Sequence, residues 1–209
     1  MQNVIKVDLW FWQPDAPAAT VARWYEHLND DERARMARFV FAKDQTRYTI
    51  CRSRMRRILG LYTRTPPGDI AFVLTGRDKP ALAPPNPQRI EFNLTHTDGL
   101  ACLAVTCGPA IGVDLERRRP VEDKFIAYTL NPDEYDRVTA PDAPREAAFF
   151  RYWTAKEAYL KSVGMGLHQS LKTFDVDVPL ATAPGAFARC SLPRIDEAEQ
   201  RAQNWQIFT

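Results

Sequence analysis

Glu157 is a carboxylate where a free charge does not belong. It lies in Phe149-Phe150-Arg151-Tyr152-Trp153-Thr154-Ala155-Lys156-Glu157-Ala158-Tyr159-Leu160-Lys161, a run of aromatics and good helix formers with no Gly or Pro until Gly164. Such a run predicts a helix that stops near the glycine. At helical spacing Phe150, Trp153, Glu157, Leu160 and Lys161 share one face, so the carboxylate sits within the stripe expected to be buried. A buried ionised carboxylate must be paired or must ligate a metal. Neutralisation by Lys161, one turn on, is the plainest arrangement. A second acidic site shifts the balance. In Ile111-Gly112-Val113-Asp114-Leu115-Glu116 the apolar residues alternate as in a half-buried strand, which leaves Gly112, Asp114 and Glu116 on the other face. Three carboxylates from two elements suit a hard cation such as Mg²⁺, with Mn²⁺ as an alternative, because such ions prefer oxygen ligands and leave room for substrate phosphates.

The elements that must position these groups can be read along the chain. The first residues, through Trp12, read as a strand and not as a signal peptide, because Asp8 interrupts the apolar part and no small-residue cleavage site follows. Ala18 to Leu28 predicts a short helix burying Val21, Trp24 and Leu28. Asn29 offers a cap to a second helix with Asp30, Asp31 and Glu32 in its first turn, ending near Phe39. Asp44 is expected to cap a longer helix through about Leu59, with Tyr48, Cys51, Met55, Ile58 and Tyr62 on one face and most of its arginines solvated. Ile70 to Leu74 reads as a strand. The segment from Thr75 through Pro87 reads as a loop too polar and broken to be core. Asp98-Gly99 between two apolar runs signals a hairpin, with His96 at a strand end flanked by the hydroxyls of Thr95 and Thr97, a donor cluster able to hold phosphate. Phe125 to Leu130 and Asp133 to Val138 read as helical pieces broken at Asn131-Pro132. Phe174 to Val178 and Trp205 to Phe208 read as strands.

Composition excludes some classes. At 209 residues and 45% hydrophobic the chain can bury a sizeable core, and no apolar run is long enough to cross a membrane. A formal net charge of +2 does not announce a nucleic-acid binder, so neither nucleic acid nor membrane is expected as a partner, and a cytoplasmic location is. Cys51, Cys102, Cys107 and Cys190 lack zinc-ligand spacing and read as buried free thiols.

Gly112-Val113-Asp114-Leu115-Glu116 and Trp153-Thr154-Ala155-Lys156-Glu157-Ala158, with the later Lys161, resemble the two best-known signatures of the phosphopantetheinyl transferases of the surfactin-synthetase-activating type. Phe92-Asn93-Leu94-Thr95-His96-Thr97 resembles that family's Phe-Asn-x-Ser-His-Ser, and Lys79-Pro80 its Gly-Lys-Pro with Asp78 in place of the glycine. The resemblance implies an α+β phosphopantetheinyl transferase fold of two similar α/β halves in a pseudo-symmetric arrangement, here 1–107 and 108–209. It implies transfer of the phosphopantetheine arm of coenzyme A to a serine of an acyl or peptidyl carrier protein. The metal would be held by Asp114, Glu116 and Glu157, and Glu157 or a metal-bound water would take the serine proton. Lys161 would neutralise a phosphate oxygen; Arg47 would reach the ribose 3′-phosphate, and Lys79, Pro80, Thr95 and His96 would line the rest of the cofactor. In that family another strand normally follows the last one read here, so either a truncated chain or an incomplete last sheet is expected. The arginines at 33, 35, 38 and 117–119 would steer an acidic carrier. Two rival readings are a metal-dependent nuclease, weakened by the lack of a Lys two residues after Glu116, and an inactive carrier-binding module.

Overall fold

Strand alternation near the start of the chain forms β1 (Val7–Trp12), and only Trp12 of its residues is buried. The computed structural model describes residues 5–75, 78–165, 169–179, 189–194 and 207–208. Expectations that fall on Met1 to Val4, Gly76, Arg77, Trp205, Gln206 and Thr209 lie outside the described residues. The chain divides into two units, Met1–Ile111 and Gly112–Thr209.

In the first unit, α1 (Ala18–Tyr25) buries Trp24. Next comes α2 (Asp30–Ala37), where Asn29 and Glu32 form a reciprocal capping box that satisfies two amide groups at the helix start. The long helix α3 (Ala42–Thr63) starts two residues before Asp44, and its cap is Phe41 with no side-chain bond, which corrects the expected Asp44 cap. The acidic side chain instead sits in the first turn, where it still complements the dipole. Cys51, Met55 and Ile58 line the buried face of α3 as expected.

The arginines of α3 are less solvated than expected. Arg56 is fully buried: its Nε donates to Glu32 Oε2 at 2.7 Å and its Nη1 to the carbonyls of Pro67 and Ile70. Arg52 holds the other oxygen of Glu32 at 2.8 Å, while Arg54 and Arg57 lie over the Trp24 ring. A buried Glu32 needs these cations, and the forked guanidinium supplies enough donors to reach carboxylate and carbonyls together.

β2 (Phe72–Thr75) pairs antiparallel with β3 (Lys79–Leu82), so part of the stretch read as loop is a strand, and Leu82 joins the core. Pairing with β2 satisfies its backbone despite the neighbouring prolines. β4 (Ile90–Thr97) and β5 (Leu100–Cys107) close the unit through the Asp98-Gly99 turn, with Thr97 opposite Leu100 and Gly99 at φ +84°. The sheet order is β1-β5-β4. Burial pushes the thiols of Cys51 and Cys102 up to about 12 and about 11, which keeps them inert. Cys107, at the end of β5, is exposed, contrary to expectation, because the strand ends there.

In the second unit, α4 (Asp123–Thr129) and α5 (Pro132–Thr139) are separated by Leu130 and Asn131, and the capping box of Asn131 with Glu134 and the proline at the first turn start α5. α6 (Arg145–Val163) ends on Gly164 at φ +70°, as the sequence predicts. Its buried residues include Phe149, Phe150, Tyr152, Ala155, Lys156, Tyr159 and Leu160, so this helix is covered on more than the single stripe expected. Among the described residues β6 (Asp175–Asp177), β7 (Arg189–Arg194) and β8 (Ile207–Phe208) form one sheet, and Phe174, Val176 and Val178 pack into the core with α6.

Candidate active site

Glu157 is 8% exposed near the C-terminal end of α6. Its Oε1 is buried with no hydrogen-bond partner among the described residues. Burial raises its carboxyl above the usual range; Lys161 opposes the shift, and the charges of Asp114 and Glu116 add to it. Coupling to both carboxylates joins the two acidic sites that the sequence singled out. The neighbouring Lys156 is fully buried and faces elsewhere. It pairs with Glu134 Oε2 at 2.7 Å and donates to the carbonyls of Leu171 and Phe174, also at 2.7 Å. This lysine of the Trp-x-x-Lys-Glu-Ala run holds the helix in place, a role that sequence reasoning missed. Asn131-Pro132-Asp133-Glu134 was the signal that could have found it, because a capping box fixes where the Glu134 carboxylate points.

Residues 111–122 form no strand, which corrects the reading of Ile111 to Glu116. The segment is held against α6 instead. A Cβ at Gly112 would land on the carbonyl oxygen of Ala158 and 2.6 Å from the Ser162 nitrogen, so only glycine permits the approach. Alternation alone does not supply the neighbouring strand that a ladder requires. Both clashing groups are backbone and cannot yield. Gly112→Ala is therefore expected to cost about 1–3 kcal/mol of stability, as overpacking does, and to displace Asp114. Urea unfolding of the variant beside the wild type measures the loss of stability.

Among the described residues Lys161 pairs with Asp114 rather than with Glu157. Its Nζ lies 2.5 Å from Asp114 Oδ1 and 3.4 Å from the Val113 carbonyl oxygen. Glu116 Oε2 accepts from Arg119 Nη1 at 2.9 Å, and Arg119 also lies over the Phe150 ring. Arg119 is a second contributor that sequence reasoning did not single out at this point. Among the described residues no three His, Cys, Asp or Glu side chains are gathered as a metal site. The donor set nonetheless fits a hard divalent cation. It offers carboxylate oxygens only, with a buried and unsatisfied oxygen on Glu157 and like-charge coupling that a cation would relieve.

In the first unit, Arg47 bonds Asp98 in the β4–β5 turn and reaches Asp15 at 3.4 Å, and Lys43 lies 3.7 Å from Asp98. Bonding to Asp98, more than to Asp15, raises the Arg47 guanidinium further above its ordinary value. The structure thus brings Arg47 to the turn that follows His96. His96 is exposed, whereas Thr95 is buried at 5% and, by strand alternation, points to the opposite face. Lys79 starts β3 and donates to the Ile111 carbonyl oxygen at 3.0 Å; burial lowers its ammonium below the usual value. Pro80 sits opposite Leu74. Asp78 adopts φ +67°, the left-handed conformation that glycine favours, so the substitution at this position preserves the turn.

Residues 110–207 match the family described as the 4′-phosphopantetheinyl transferase superfamily, and residues 11–108 match 4′-phosphopantetheinyl transferase, N-terminal. The chain is 38% identical over 166 residues to the 4′-phosphopantetheinyl transferase HetI of Nostoc sp., a match covering 78% of this chain and 70% of that protein. The chain belongs to the 4′-phosphopantetheinyl transferase superfamily. That is a superfamily of transferase enzymes, and the mixed helices and sheets of the two units fit its α+β fold. Further relatives are the phosphopantetheinyl transferase of Thraustochytrium sp., 32% identical over 170 residues (75% of this chain, 58% of that one), and the transferase Sfp of Bacillus subtilis, 24% identical over 155 residues (74% and 68%). The chain thus spans between 58% and 70% of the length of these three relatives. No helix among the described residues is long and apolar enough to cross a membrane.

Proposed function

We propose that this superfamily member transfers the phosphopantetheine arm of coenzyme A to a serine hydroxyl of an acyl or peptidyl carrier protein in the cytoplasm, releasing adenosine 3′,5′-bisphosphate, with Mg²⁺ at Asp114, Glu116 and Glu157. The observation that carries the reading is Glu157 itself: a buried, unsatisfied carboxylate whose proton affinity is raised by burial and by two further carboxylates. The family match removes support from the nuclease alternative.

Phosphoryl transfer asks for positioning and charge neutralisation more than for covalent help. When bound, the divalent ion would neutralise pyrophosphate charge and polarise the phosphorus–oxygen bond that breaks. Glu157 would accept the serine proton, for which a raised carboxyl affinity is suited. Lys161 would neutralise charge on the reacting phosphate. Arg47 and His96 would hold the cofactor's other phosphates, with Lys79, Pro80 and Thr95 lining the cofactor; the burial of Thr95 leaves His96 the better exposed of the pair on β4. Arg117 and Arg118 are exposed and would meet an acidic carrier.

Arg47→Ala should weaken coenzyme A binding by roughly tenfold. A charge-assisted contact is worth about 1.5–3 kcal/mol, and Arg47 must first exchange Asp98 and Asp15 for phosphate, so the low end applies. Unchanged affinity by calorimetry would remove Arg47 from the cofactor set. The activity itself is tested by intact-mass spectrometry of an apo carrier protein incubated with the chain, coenzyme A and Mg²⁺. The carrier is expected to gain the mass of one phosphopantetheine arm. A carrier of unchanged mass, under conditions in which an active family member modifies it, would overturn the reading.

A further inference from the structure

We propose that Lys161 acts in the metal-free protein as a surrogate cation on Asp114, and that a divalent ion must displace it before the three carboxylates can act together; this rests on the reading of the site given above. The ammonium lies 2.5 Å from Asp114 Oδ1, and the Asp114 side chain is only 7% exposed. The ammonium occupies one side of the Asp114 carboxylate, and a positive charge this close repels an incoming cation at either carboxylate oxygen. The second carboxylate, Glu116, is likewise held, by Arg119, but that pair is more open to water, with the Arg119 and Glu116 side chains 56% and 22% exposed, and such contacts are easily exchanged. Glu157 Oε1 is buried with no hydrogen-bond partner among the described residues, so no cation has to be displaced from that oxygen.

The charge of Lys161 beside Asp114 is therefore the one a metal must overcome. Apparent metal affinity falls in proportion to the fraction of molecules in which Asp114 is free of Lys161. The four-carbon stem lets the ammonium leave without moving α6, since lysine carries its charge on a flexible chain. Once released, the same charge is available to a phosphate oxygen. Lys161 would then neutralise substrate charge only after a cation has taken over Asp114, which makes it a gate on metal binding as well as a contact for phosphate.

The probe is Mn²⁺ alone, titrated into the full chain without coenzyme A or carrier, with the free ion read by electron paramagnetic resonance. Lys161→Met keeps the stem and removes the charge. If Lys161 holds Asp114 about nine-tenths of the time, this variant binds Mn²⁺ roughly tenfold more tightly than the wild type, and Lys161→Arg, which keeps the charge, stays close to the wild type. Metal-free Lys161→Met should also melt below the wild type, because Asp114 loses this contact, and saturating Mn²⁺ should raise its melting temperature more than it raises that of the wild type. Equal or weaker Mn²⁺ binding by folded Lys161→Met overturns the inference; should that variant not fold, Lys161→Gln is judged by the same criterion. Failure of the underlying reading looks different: the wild type binds no Mn²⁺, or Asp114→Asn binds it as tightly as the wild type.

Discussion

Glu157→Gln is expected to lower carrier modification by about 10²–10⁴-fold while making the metal-free protein more stable. Both effects come from one carboxylate. As the proposed base and metal ligand it cannot be replaced by an amide, which neither accepts a proton nor carries charge to a cation. In the absence of metal its ionised form is a burden. Burial raises the carboxyl, chiefly by desolvation and further through the charges of Asp114 and Glu116, so the folded state holds the proton more tightly than the unfolded chain does. The stability linked to that proton is full below the unfolded carboxyl range and is lost as pH rises through the higher folded value. The melting temperatures of wild type and variant should thus coincide in acid and separate toward neutral pH, with the variant higher. A wild-type level of transfer in Glu157→Gln would remove Glu157 from the chemistry, and a lower neutral-pH melting temperature would contradict the electrostatic account.

Lys156→Met is expected to have the largest effect on stability. Lys156 is fully buried against a Glu134 side chain that is itself 4% exposed. Removing the ammonium leaves the carboxylate with the backbone amides of Asn131 and Val176, which donate to it without neutralising its charge. Breaking one side of a buried pair typically costs about 3–5 kcal/mol, which for a chain of this size lowers the melting temperature by roughly 6–20 °C. The double variant Glu134→Gln, Lys156→Met should recover part of that loss, because it removes the stranded charge too. A single variant that melts within a degree or two of the wild type would show that the pair does not hold α6.

These two residues also mark what the sequence could disclose. Helix α6, its stop at Gly164 and the β4–β5 hairpin were legible because periodicity, a left-handed glycine and an Asp-Gly turn are local signals. Glu157 was legible because a carboxylate within an apolar stripe violates a local rule. Its true relation to Lys161 was not, since helical spacing brings the two near each other but does not say that Asp114, from another segment, takes the ammonium instead. Alternation in Ile111 to Glu116 suggested a strand, yet pairing depends on a neighbour supplied by tertiary structure, and here Gly112 meets a helix. The arginines of α3 looked solvated for the same reason: burial of Arg56 depends on Glu32, which lies 24 residues away on α2.

The central claim is that the carboxylates at 114, 116 and 157 support metal-dependent phosphoryl transfer from coenzyme A to a carrier serine. Release of adenosine 3′,5′-bisphosphate tests it most directly, followed by chromatography with an apo carrier and coenzyme A in Mg²⁺ or in excess chelator. The account predicts one bisphosphate released per carrier molecule modified in Mg²⁺, none in chelator, and none with a carrier whose acceptor serine is replaced by alanine. Equal release with and without the divalent ion, or release that does not depend on the serine, would contradict it.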